Sequence, residues 1–139
     1  TYLYNAAQNI EAQEKPTYIY YFGDHDPDGK LIPQVLEREL RRLAPKSEIH
    51  FTQAAITQEQ IVQLNLPTRP TKRETKRGKE FEGDSVDLDA MSSVELRRLV
   101  RHCIEQHIDQ GVYARTMQAE QMEMETLKRI ESTWEQLIA

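Results

Sequence analysis

The stretch Thr17-Tyr18-Ile19-Tyr20-Tyr21-Phe22-Gly23-Asp24-His25-Asp26-Pro27-Asp28-Gly29 decides how the rest of this chain is read. Its first six residues are β-branched or aromatic, with no polar alternation. That pattern predicts a strand buried on both faces, as in a parallel sheet. The seven residues from Gly23 to Gly29 then form a tight acidic loop. From Lys30 onward Leu31, Val35, Leu36, Leu40 and Leu43 recur at helical spacing and stop before Pro45. Pro33 is placed in the first turn of that helix, where a missing N–H is tolerated.

Working outward, Leu3, Ala6, Ala7 and Ile10 define an amphipathic helix from Tyr2 to Glu14, capped by Thr1 and ended by Lys15-Pro16. Downstream, Ile49 to Ile56 reads as a second strand. Thr57 and Gln60 form a capping box for a short helix through about Leu64. Strand, helix, strand, helix is the α/β pattern, and right-handed crossovers make its sheet mostly parallel and flanked by helices. Residues 65–84, with Pro67, Pro70, Gly78 and Gly83, read as one long loop. Val86-Asp87-Leu88-Asp89 alternates as a short strand. Ser92 and Glu95 cap a helix whose expected buried face is Val94, Leu96, Leu99, Val100, Cys103, Ile104 and His107.

Val112 to Ile138 reads as one long C-terminal helix, with Met117, Met124, Leu127, Ile130, Trp134 and Leu137 near one stripe. This gives a domain over residues 1–110 and a helical extension over 111–139. The stripe could pack back on the domain, bind another part of the same protein, or pair with a second chain in an oligomer. Polar breaks at Gln121 and Glu131 weigh against a dimeric coil.

Composition narrows the function classes. The chain has 139 residues, 38% hydrophobic and 29% charged, with net charge −5 and mean hydropathy −0.73. No apolar run approaches the ~20 residues of a spanning helix, so no membrane partner is expected. The single cysteine, Cys103, excludes an internal disulfide and a cysteine-based zinc cluster, and fits a reducing cytoplasm. It is read as a core residue. Tyr2, Tyr4, Tyr18, Tyr20 and Tyr21 are read as packing residues, His50 as strand edge, His102 as exposed and His107 as packed.

The acidic loop carries the chemistry. Asp24, Asp26 and Asp28 alternate at the carboxyl end of a strand, the edge where open α/β sheets bind ligands. Clustered carboxylates repel one another and stay ionised together around a cation, and oxygen donors select Mg²⁺, Mn²⁺ or Ca²⁺. The same spacing opens an EF-hand loop, but the twelfth position from Asp24 is Val35 where that loop requires glutamate. The EF-hand reading fails. His25, between two of the aspartates, could touch a phosphate or carry a proton, with variation free of catalytic meaning the favoured reading.

The strand followed by Asp24-x-Asp26-x-Asp28-Gly29 resembles the DxD motif of the TOPRIM domain, shared by topoisomerases, bacterial primases and TOPRIM-type nucleases. Its Gly-Asp-x-Asp-Pro-x-Gly form is most similar to the branch of the type IIB topoisomerase A subunit. Ala55-Ile56-Thr57, Gln60-Ile61, Leu66-Pro67 and Val86-Asp87-Leu88-Asp89-Ala90 resemble a bacterial and phage group of TOPRIM-containing proteins. The likeness covers about residues 1–108 and implies a TOPRIM/Rossmann-like fold.

That resemblance implies Mg²⁺ or Mn²⁺ held by Asp24 and Asp26, which are also the implied catalytic residues. Asp28 is implied as a second carboxylate, and Asp87 and Asp89, on a later strand of the sheet, as candidates for a second metal. The implied activity is cleavage of DNA phosphodiesters, nuclease-like, with topoisomerase or primase membership and a non-catalytic binding module as alternatives. The family's general acid–base glutamate lies on a strand before the helix that begins here at Tyr2, and Glu11 and Glu14 are misplaced to substitute. With Thr1 in place of an initiating Met, the chain is expected to be a piece of a longer protein. The missing N-terminal part is then a partner, and the piece alone is a weak metal binder and a poor catalyst.

Between residues 69 and 79 the charge reverses: Arg69, Lys72, Arg73, Lys76, Arg77 and Lys79 face only Glu74. A basic loop bounded by proline and glycine suits DNA phosphates. It holds no aromatic residue for base stacking.

Overall fold

The computed structural model describes residues 2–138. The elements are α1 (Tyr2–Gln13), β1 (Thr17–Phe22), α2 (Pro27–Leu43), β2 (Ile49–Ala55), α3 (Gln58–Gln63) and α4 (Lys76–Glu80). A 3₁₀ turn (Leu88–Ala90), α5 (Ser93–Glu105) and α6 (Gln110–Ile138) follow. The fold is mixed α/β, and the chain divides into two compact units, Thr1–Leu99 and Val100–Ala139. The proposed cap Thr1 lies outside the described residues. Among those residues, no helix is long and apolar enough to cross a membrane.

In the first unit β1 and β2 pair in parallel, from Thr17 opposite Ile49 to Phe22 opposite Ala55. They are joined through α2 as a β-α-β unit. The register slips between Tyr21 and Phe22, leaving Ala54 as the extra residue of a bulge. Its carbonyl is not orphaned: Gln60 Nε2 donates to it at 2.8 Å. The same Gln60 closes the capping box of α3, accepting from Thr57 N–H through Oε1 at 3.0 Å. Pairing continues past the strand ends, with Gly23 N–H donating to Ala55 and Ile56 N–H donating back to Gly23, both at 2.8 Å.

Two apolar clusters hold this unit. Ala7 of α1, Leu40 and Ala44 of α2 and Ile49 of β2 form the first, backed by Leu3, Ile10, Ile19, Leu43 and Phe51. Alanines at these contacts let α1 and α2 approach each other closely. Burying Leu40 and Ile49 contributes roughly 1.5–3 kcal/mol each. The second cluster forms at the carboxyl end of the sheet from Ala55, Ile56, Val86 and Met91, with Phe22, Ile61, Leu66, Leu88, Leu96 and Leu99 against it.

Several expectations require correction. β1 is half-buried, not enclosed on both faces: Tyr18 is 46% exposed and stacks on His50 at 4.6 Å. α2 begins at Pro27, because Asp26 caps it, so Pro33 lies inside the helix and not in its first turn. Having no N–H, Pro33 cannot bond the carbonyl one turn back. Residues 65–84 are not structureless, since Thr75 caps α4 by accepting from Gly78 N–H at 3.1 Å. Residues 86–89 are not a strand: Ser85 and Val86 make isolated antiparallel bridges, and Leu88 enters the 3₁₀ turn.

On α5 the expected apolar face holds only in part. Leu96 and Leu99 pack and Cys103 is buried, but Val94, Val100 and Ile104 are exposed. His107 follows the helix and is exposed, where a buried position was expected. Ser92 caps α5, its Oγ accepting from Glu95 N–H at 3.2 Å. α6 opens on Asp109, whose Oδ1 accepts from Val112 N–H at 2.9 Å, and its side chains are exposed along its whole described length.

Candidate metal and phosphate site

The acidic loop and the basic segment are joined through the backbone. His25 N–H donates to Val86 at 2.7 Å and Val86 N–H returns to His25 at 3.0 Å. One residue earlier, Ser85 and Arg69 exchange two bonds of 2.8 Å each. Segments far apart in sequence therefore meet at the carboxyl end of β1. Thr71 and Ser85 reinforce the junction with a buried hydroxyl pair at 2.7 Å.

Each carboxylate is positioned by a separate device. Asp24 Oδ1 accepts from Leu88 N–H at 2.7 Å. Asp26 Oδ1 accepts from Gly29 N–H at 2.7 Å, the cap of α2. Gly29 is obligatory beside it, since a Cβ there would strike the carbonyl oxygen of Asp24. Asp28 lies in the first turn of α2 and receives Arg77 Nη1 at 3.1 Å. Asp87 receives Arg69 in a fork, with Nε 2.8 and 3.0 Å from its two oxygens and Nη2 2.6 Å from Oδ1. Arg69 Nη2 also lies 3.6 Å from Asp26 Oδ2. Asp89 sits exposed on the 3₁₀ turn.

These charges set the local titration. The Arg69 fork holds the Asp87 carboxyl below the usual carboxylate range. Arg69 in turn is raised, first by its bond to Asp87 and further by the charges of Asp26 and Asp24. Burial, then the charges of Asp24 and Asp26, pushes the Tyr21 phenol up. That shift favours the protonated phenol. His25 is 6% exposed, with its ring edge-on to Phe81 at 5.4 Å. Burial and the charge of Lys30 lower its pKa, with a backbone bond and Asp26 opposing. The ring is packed, and its burial favours the neutral form.

Asp26 and Asp28 line a cleft of about 850 Å³ together with Arg69, Lys72, Lys76 and Arg77. Lys72, Arg73 and Lys79 are exposed, and Lys76 reaches Glu80 only at 3.9 Å. Asp26 and Asp87 thus both face the Arg69 guanidinium, while Asp28 pairs with Arg77. Among the described residues no three acidic, histidine or cysteine side chains are grouped to hold a metal ion. The donor set still suits Mg²⁺, which is commonly bound by one or two carboxylates and completed by water and substrate phosphate.

Sequence reasoning missed the fork between Arg69 and Asp87 and the short helix α4. The second had a signal: Thr75 stands three residues before Gly78, a side-chain cap spacing. Comparison with known proteins finds no matching family model, no matching curated protein and no matching solved structure.

Proposed function

We propose that the first unit is a Mg²⁺-dependent, TOPRIM-like domain acting on DNA phosphodiesters in a nuclease-like manner. The supporting observation is the cleft that sets Asp26 and Asp28 beside Arg69, Lys72, Lys76 and Arg77, since phosphoryl chemistry needs both a cation site and phosphate anchors. Asp24 and Asp26 are the residues that would hold the ion. When bound, Mg²⁺ would polarise a phosphoryl oxygen and stabilise charge on the leaving oxygen. Lys72, Lys76 and Arg77 hold backbone phosphates and align the scissile bond, and Arg73 and Lys79 extend the positive surface along the strand. Asp87 orients Arg69 through its fork, and Asp89 is at most an outlying carboxylate on the same turn.

The test is a Mn²⁺ titration of the wild-type chain and of the D24N/D26N double variant, with plasmid cleavage assayed in Mg²⁺. Loss of Mn²⁺ binding in the variant supports the reading, and undiminished binding overturns it. A second reading, a non-catalytic DNA-binding module, is favoured by the engagement of Arg69 and Arg77 with the carboxylates. It is selected if DNA binding is undiminished in EDTA and no cleavage accompanies it.

A further inference from the structure

We infer that α6 pairs antiparallel with the α6 of a second copy of this chain, along a seam of Leu127, Ile130, Trp134 and Leu137. The inference is independent of the function proposed above. α6 is 29 residues long, about 44 Å by its rise per residue, and every described side chain on it is exposed. Leu127, Ile130, Trp134 and Leu137 are 64, 60, 64 and 76% exposed. A helix that carries large apolar side chains on one stripe is stabilised chiefly by covering that stripe. Single exposed apolar residues are ordinary, but a row of them marks an interaction surface.

Gln121 and Glu131 interrupt a coil drawn along the whole helix. From Leu127 onward, however, the apolar residues recur in steps of 3, 4 and 3, the spacing at which two helices interlock. Glu131 falls beside that seam, and Gln121 lies before it begins. In space Met124, Leu127, Ile130 and Trp134 line one groove, edged by Lys128, Glu131 and Glu135. These three charges share one flank of the helix by their own spacing of 3 and 4 residues. The seam is therefore short, about three turns, with charge along one side.

Charge selects both the occupant and its direction. In an antiparallel pair Leu127 faces the second copy's Leu137 and Ile130 faces its Trp134, and the two-fold axis repeats each contact. The charged flanks then lie together, with Lys128 beside the second copy's Glu135 and Glu135 beside its Lys128. The two Glu131 side chains also meet near the axis, and each is offset by Lys128 three residues earlier in its own helix. In a parallel pair the charged flank would lie against Thr126 and Thr133, and Lys128 and Glu135 would gain no counterpart. A row of opposite charges that complements itself beside an apolar seam suits a closed two-fold dimer, so a second copy is the fitting occupant. The seam is at the small end of protein interfaces, and dissociation is expected at about micromolar concentration.

The test is sedimentation equilibrium of the full 139-residue chain from about 1 to 200 µM, with fluorescence followed over the same range. Trp134 is the single tryptophan, so its emission reports the seam directly. The expected result is a reversible shift from 16.3 kDa toward twice that mass, with emission moving to shorter wavelength as the dimer forms. I130E is expected to stay monomeric, with solvent-exposed emission throughout. K128E sets like charge against the second copy's Glu135 and is expected to raise the dissociation constant about three- to tenfold, and adding E135K is expected to recover most of that loss. A monomer at every concentration overturns the inference. Unchanging short-wavelength emission then assigns the groove to another part of the same chain, and unchanging long-wavelength emission leaves it in solvent. A dimer that survives I130E, that K128E does not weaken, or that E135K does not restore places the interface elsewhere or the helices parallel, and overturns it as well. Should I130E not fold by circular dichroism, K128E and K128E/E135K decide alone.

Discussion

Arg69 grips Asp87 through three nitrogen–oxygen distances of 3.0 Å or less while its backbone exchanges two hydrogen bonds with Ser85. A residue from the basic segment is thus built into the wall of the acidic site. The first consequence concerns DNA affinity. Replacing Lys72 and Lys76 by alanine removes two exposed, proposed phosphate anchors, and the nearest ion pair it touches is Lys76–Glu80 at 3.9 Å. DNA binding should weaken similarly across sequences, and the slope of log K against log salt should fall by about 1 for each phosphate anchor removed. Filter binding at several salt concentrations measures this.

Asp24 has a structural partner in Leu88 N–H and, in the proposed function, a metal to hold, and two substitutions separate these. D24A leaves the Leu88 N–H without its acceptor and should lower stability by about 1–3 kcal/mol. D24N keeps an acceptor and should lie close to wild type in urea unfolding. Under the proposed function, both should lose Mn²⁺ binding. A D24A protein as stable as wild type would show that the 2.7 Å bond contributes little.

Asp26 separates in the same manner. D26A removes the cap of α2 and should cost about 1 kcal/mol, whereas D26N and D26S retain a capping oxygen. Thermal unfolding of the three variants distinguishes cap from charge.

Gly29 should be intolerant of any side chain. G29A forces a Cβ into the backbone carbonyl of Asp24, which is no flexible side-chain end, so the acidic loop must move or the helix start must unwind. A loss of at least about 1–3 kcal/mol is expected in chemical denaturation, as for overpacking elsewhere. Gly83, whose φ is +89° but which has open space around it, should lose less on substitution and only through backbone strain.

Cys103 tests the reading of burial. Burial pushes its thiol above the ordinary range, so little thiolate exists at about pH 8. Reaction with a disulfide reagent should be slow in the native chain, should quicken as the solution becomes strongly alkaline, and should become fast in urea at constant pH.

The β-α-β core was legible from particular residues. The run 17–22, the leucine spacing after Lys30 and the Thr57–Gln60 pair each specify their element locally, and the parallel pairing followed from their order. Elements with a weaker local signal were misread. Residues 86–89 alternate like a strand, but Asp24 and His25 bond their backbone, and the chain turns instead of extending. α4 is too short for periodicity and depends on one threonine cap. At the site, Asp24, Asp26 and Asp28 were evident as a cluster. Their partners were not, because Arg69 and Asp87 are 18 residues apart and meet only through the bridges to Ser85 and Val86.

Four backbone hydrogen bonds stitch His25 to Val86 and Ser85 to Arg69, and this bears on engineering. The aspartate motif is not a portable cassette: moved into a host sheet on its own, it would leave behind the guanidinium that offsets its charge. Any transplant, or any chimera made by recombination, would have to carry both seams together.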